Sequence, residues 1–122
     1  MKIVGYMEGT NPEVLTKLLL EGYETIPLSN GFDNHGKFVT QVTTQDHISL
    51  VVGYLHKFIP ISPDYSLTDI LVSIRVHKIP VIFVVPKEMH EKANKIIAGN
   101  GMNYRLSDPA DLSKIIIETL ES

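Results

Sequence analysis

Glu8-Gly9-Thr10-Asn11 leads directly into Pro12 and a leucine-rich stretch. Small residues ahead of a helix start leave backbone N–H groups free to hold an anion, so this turn is the first candidate for chemistry. It is also an ordinary strand-to-helix turn, with Asn11 as N-cap and Pro12 at the first helical position. Neither a Walker A pattern nor Gly-x-Gly-x-x-Gly is present, and Glu8 repels a phosphate unless a cation intervenes. A second polar cluster runs from Ser29 to Gly36 and carries Asn30, Asp33, Asn34 and His35. Its length fits either a binding loop or a solvated turn. Lys57 and Lys87 each follow an apolar run, where a lysine either neutralises a phosphate or simply ends a strand in solvent. Asp69 lies three residues after Ser66: it is the partner of Ser66 in a capping box, or a carboxylate able to act as a nucleophile or steady an oxocarbenium ion. The five histidines, at 35, 47, 56, 77 and 90, have no metal-ligand spacing, and cysteine is absent, so no metal site is expected. His90 and Glu91 read as a solvated helix face.

The elements that must position these groups follow from periodicity. Ile79 to Pro86 is a continuous apolar run, which predicts a strand buried on both faces and therefore helices above and below a parallel sheet. Lys2 to Tyr6 reads as the first strand, followed by a helix burying Leu15, Leu18 and Leu19, closed by Gly22 in the left-handed conformation, and a short strand from Thr25 to Leu28. Lys37 to Thr43 alternates as a strand does. The segment from His47 to Tyr54 fits both periods, and Gly53 tips it towards strand. Two prolines bar regular helix between Phe58 and Tyr65. From Ser66 a helix with Ile70, Leu71, Ile74 and Val76 on its inner face runs to Lys78. Lys87 to Ala98 is a further helix, Met102 to Leu106 a last strand, and Asp108-Pro109 caps a final helix with Leu112, Ile115, Ile116 and Leu120 inward. Alternation of this kind predicts a single α/β domain over 1–122: a three-layer α/β/α sandwich around an open, mainly parallel sheet of about five strands, flavodoxin-like or Rossmann-like. In such sheets ligands lie beyond the carboxyl ends of the strands, which gathers Glu8, Gly9, Thr10, Asn11, Asn30, Asp33, His35 and Lys87 as the expected ligand-binding set.

The run from Ile79 to Pro86 through Gly-Met-Asn-Tyr-Arg-Leu to Asp-Pro-Ala-Asp-Leu resembles the last two βα units of response-regulator receiver domains. That resemblance implies an acidic pair after the first strand, a phosphoacceptor Asp after the third and a Lys after the fifth. Here those positions hold Glu8 alone, Tyr54-Leu55-His56-Lys57, and Ser107. The stretch from Asp64 to Asp69, with Lys78-Ile-Pro-Val-Ile beyond the helix, is similar to the nucleoside deoxyribosyltransferase and TIR-like families, which implies glycosidic-bond chemistry with Asp69 as the acid. Met7-Glu8-Gly9 resembles the first motif of toprim domains, without the Asp-x-Asp that completes it. Gly9-Thr10-Asn11-Pro12-Glu13 is similar to the first turn of CARF nucleotide-sensing domains.

The 122 residues carry a net charge of −3, with lysine and arginine scattered singly, which argues against binding to nucleic acid. No apolar run approaches the length of a membrane span and no signal-peptide core is present, so a cytoplasmic protein without membrane contact is expected. The composite expectation is a domain that binds a nucleotide, another phosphate-type anion or a protein partner, its cofactor unspecified. Two alternatives stand beside it. One is the glycosidic enzyme built on Asp69. The other is a self-associating module, a homo-oligomer, with Tyr54, Phe58, Ile59 and Ile61 as an exposed apolar patch.

Overall fold

The structure is a computed structural model, and it describes residues 2–31, 33, 35–59, 71–99 and 101–122. Among these, β1 (Ile3–Met7), α1 (Pro12–Leu20), β2 (Glu24–Ser29), β3 (Lys37–Phe38), β4 (Ile48–Tyr54), α2 (Val72–Val76), β5 (Val81–Val84), α3 (His90–Ile97), β6 (Tyr104–Ser107) and α4 (Leu112–Glu121) follow in chain order. The strands form one sheet in the order β3-β2-β1-β4-β5-β6. Every pair is parallel.

The apolar run that dominates the sequence becomes β5, all four of whose residues are buried. Successive side chains of a strand point to opposite faces. Val81 and Phe83 accordingly join a cluster with Leu71 and Ile74 of the α2 region and Ala93 and Ile97 of α3. Ile82 and Val84 join another with Val14 and Leu18 of α1 and Leu112, Ile116 and Leu120 of α4. Each such large apolar side chain contributes about 1.5–3 kcal/mol when withdrawn from water. Phe83 also meets Phe58 edge to face at 5.1 Å, anchoring the turn after β4. The segment that fitted both periods is strand β4, five of whose seven residues are buried.

Several boundaries differ from expectation. The alternating stretch after Gly36, expected as a strand to Thr43, pairs only at Lys37 and Phe38 and then tightens into a 3-10 turn from Val39 to Gln41, leaving the shortest of the six strands. α1 buries Val14 and Leu18, while Leu19 is 66% exposed: helical spacing puts Leu19 one position round from the buried stripe. Val76 is likewise 64% exposed on α2. The helix after Lys87 begins as a 3-10 turn over Lys87–Met89 and becomes α-helical at His90. Phe58 is fully buried, so the apolar patch expected around it does not exist in that form; Ile59 is 39% exposed, and Ile61 lies outside the described residues. No helix among the described residues is long and apolar enough to cross a membrane.

Two helices end in the same way. At α1, Gly22 takes φ +92° while its N–H bonds the Leu19 carbonyl and the Tyr23 N–H bonds the Leu18 carbonyl. At α2, Lys78 takes φ +56°, its N–H bonds the Arg75 carbonyl, and the Ile79 N–H bonds the Ile74 carbonyl. Both are Schellman endings, which favour glycine at the left-handed position.

Candidate functional site

The strand order reverses beside β1: the chain leaves β1 for β2 and β3 on one side and returns as β4 on the other. Ligands of open parallel sheets sit at the carboxyl ends of the strands flanking such a reversal. Two segments meet there, the turn Glu8–Asn11 and the 3-10 turn Leu55–Lys57. The ammonium of Lys57 pairs with the carboxylate of Glu8. Its chain passes across Gly9, where a Cβ would lie 3.6 Å from Lys57 Cε, and Gly9 itself has φ +87°, so glycine is needed there for its dihedral angle. Asn30 comes over from β2 and donates its Nδ2 to the Lys57 carbonyl at 2.9 Å. Glu8, Gly9, Asn30 and Lys57 are thereby brought together from three strand ends.

Within the turn the Thr10 N–H is used internally. Thr10 is buried and turns both its N–H, at 3.3 Å, and its hydroxyl, at 2.7 Å, onto the Met7 carbonyl. Asn11 caps α1 by accepting from the Glu13 N–H at 2.9 Å, and Pro12 has no N–H to offer. The N–H groups of Gly9 and Asn11 have no partner among the described residues.

The loop after β2 is organised around Asp33. Its Oδ1 accepts from the Ser29 hydroxyl at 2.7 Å and from the His35 N–H at 3.2 Å, while Ser29 Oγ accepts from the Gly31 N–H at 3.0 Å. The His35 ring holds the Leu28 carbonyl through Nδ1 at 3.0 Å, and since a carbonyl only accepts, Nδ1 carries the proton. That ring stands edge-on to Tyr6 at 5.4 Å. The second carboxylate oxygen, Oδ2, is closed off from solvent without a hydrogen-bond partner among the described residues, a state that costs about 1–3 kcal/mol in a folded protein. Asp33 and His35 are therefore mutually organised. Asn34 lies outside the described residues.

Lys87 goes elsewhere. Its N–H donates to Asp108 Oδ1 at 2.8 Å, joining the exits of β5 and β6, and β4 separates that pair from β1. Asp108 Oδ2 accepts from the Ala110 N–H at 3.0 Å. These two backbone donors, Ala110 foremost, hold the Asp108 carboxyl below its ordinary range, with His90 and Lys87 adding positive charge nearby. His90, expected on a solvated face, bonds the Val85 carbonyl through Nε2 at 2.8 Å and so closes the end of β5. Asp69, the basis of the glycosidic reading, lies outside the described residues, as does Ser66. No group of three or more metal-ligating side chains occurs among the described residues.

Lys57 is the member of the central group that sequence reasoning left out of the binding set. Its only signal was position, directly past an apolar strand. What makes it notable is the pairing with Glu8, which requires β4 to lie beside β1. Comparison with known protein families, with curated proteins and with solved structures finds no match. The fold and the site define an open parallel α/β protein with a polar cluster at the reversal of its strand order.

Proposed function

We propose that this protein binds a small phosphate-bearing ligand of nucleotide type in the crevice between the ends of β1 and β4. The observation that carries the reading is the position of Lys57, held by Glu8 directly over Gly9 at the reversal of strand order. A phosphate entering there replaces Glu8 as the partner of Lys57 and takes the unpartnered N–H groups of Gly9 and Asn11, at the start of a nine-residue helix. Glu8 then acts as an internal competitor, occupying the lysine until an anion of higher charge arrives. The strand order also supports the reading: leaving aside two-residue β3, the order β2-β1-β4-β5-β6 is that of flavodoxin-type sheets, whose ligands sit at this point.

The competitor role gives the test an unusual sign. Titration calorimetry with pyrophosphate and with nucleoside diphosphates should show binding to the wild-type protein. Lys57→Gln should weaken it about tenfold, and Glu8→Gln, which frees the lysine, should tighten it, a tenfold change being about 1.4 kcal/mol. Absence of binding by every phosphate compound, together with no rise in melting temperature at millimolar concentration, rejects the proposal.

A further inference from the structure

The opposite edge of the sheet carries a feature that the strand-end rule does not reach. Between the end of α2 and the segment leading into β6 lies a cleft of about 440 Å³. Its floor is apolar, formed by Ile74, Ile79 and Met102; its charged rim is Arg75 and Lys78; and no acidic residue lines it. Arg75 and Lys78 are both exposed, and neither takes part in an ion pair or side-chain hydrogen bond among the described residues. This contrasts with Lys57 and Lys37, each of which has a carboxylate partner.

Lys78 adds a second, independent observation. It occupies the left-handed closing position of α2 at φ +56°, where a side chain is strained and glycine is the usual occupant. Only one other residue besides glycine among those described has positive φ, His47, a type that tolerates this conformation more readily than lysine. Helix-dipole stabilisation does not account for Lys78, because α2 has five residues and Arg75 already supplies a cation in its last turn. Strain retained at a cleft rim is the pattern of a residue kept for its side chain.

We infer that this cleft is a binding site for a small amphiphilic carboxylate, its acid group between Arg75 and Lys78 and its hydrocarbon body on Ile74, Ile79 and Met102. The volume lies within the roughly 300–1,000 Å³ typical of small-molecule sites, which favours a compact acid over a protein segment. The charge is complementary only to an anion, and the floor rewards an apolar body, so inorganic anions lack half of what the site offers. The site stands at the amino ends of β5 and β6 and is independent of the phosphate crevice.

Octanoate is the probe, with 1-octanol, which has the chain without the charge, and acetate, which has the charge without the chain. Titration calorimetry should give octanoate at least about tenfold higher affinity than either control, the excess being what joint use of rim and floor supplies. Arg75→Gln and Lys78→Gly should each weaken octanoate about tenfold, and Lys78→Gly should at the same time raise the melting temperature by releasing the strained backbone. The double result, a more stable protein that binds less, is what a purely structural lysine cannot produce. Octanoate binding no tighter than octanol overturns the inference, and so does octanoate affinity unchanged in both variants. The comparison of the three probes on the wild-type protein stands whether or not a variant folds.

Discussion

The ends of α1 and α2 make the same backbone demand and answer it with different residues. Both close with paired hydrogen bonds around a left-handed residue, and in both the residue after it packs inward against the helix, Tyr23 with Leu18 and Ile79 with Ile74. At α1 the left-handed residue is Gly22, with no atom within 4 Å of where its Cβ would be. At α2 it is Lys78, on the rim of a cleft with a second unpaired cation. Open surroundings accept the residue of least strain, whereas the cleft holds a residue that the backbone disfavours. A glycine or its absence therefore reports on dihedral demand, on space, or on a side chain needed for something else, and only the surroundings tell which.

Gly53 separates space from dihedral demand. It sits in β4 without a positive φ, yet a Cβ there would meet Met7 Cγ at 2.6 Å and Met7 Cβ at 2.7 Å. Gly53→Ala should cost about 1–3 kcal/mol through overpacking, the largest effect expected here, measured by chemical denaturation. A loss below a few tenths of a kcal/mol would show that Met7 can give way. Gly22→Lys copies the α2 ending onto α1, where nothing clashes, so only the dihedral strain should appear, about 1–2 kcal/mol of destabilisation. Equal stability of that variant and wild type would remove the argument that lysine at Lys78 is strained, and with it the expected gain in Lys78→Gly.

A smaller contrast concerns helix starts. Asn11 caps α1 with a neutral amide, whereas Asp108 caps the turn before α4 with a carboxylate. The folded-state pKa of Asp108 is depressed by its bonds to the Ala110 and Lys87 N–H groups. Its contribution to stability is therefore fully present above the unfolded value of about 3.9 and is lost as pH falls through the lower folded value. The amide resonances of Ala110 and Lys87 should titrate together with a midpoint below the ordinary aspartate range, while that of Glu13, beneath Asn11, stays put. A midpoint at the ordinary value would mean that these hydrogen bonds do not hold in solution.

The parts of the fold legible in sequence were those set by local periodicity. Ile79 to Pro86 announced β5 and both faces of the core, and Gly22 announced the end of α1. The reading failed where neighbours decide. Leu19 carries the same signal as Leu18, yet Leu18 is buried and Leu19 is exposed because it lies one step round the helix from the packed stripe. Phe58 reads as part of an exposed apolar patch with Tyr54, Ile59 and Ile61, yet Phe83 receives it. Of the site, Glu8, Gly9 and Asn30 were nominated from the strand-end rule and do converge; Lys87, nominated by the same rule, is tied to Asp108 instead.

By itself the sequence determined that a buried parallel strand must be covered on both faces, because an apolar run without alternation leaves neither face fit for water. It also determined where chains turn, since glycine and asparagine admit the left-handed backbone and proline fixes φ and removes a donor. Only the tertiary structure decided that β4 returns beside β1, which sets Lys57 over Gly9, and that α2 closes on a lysine above an apolar floor. Both depend on which segments become neighbours, and strand pairing is a contact between distant parts of the chain that no local pattern encodes.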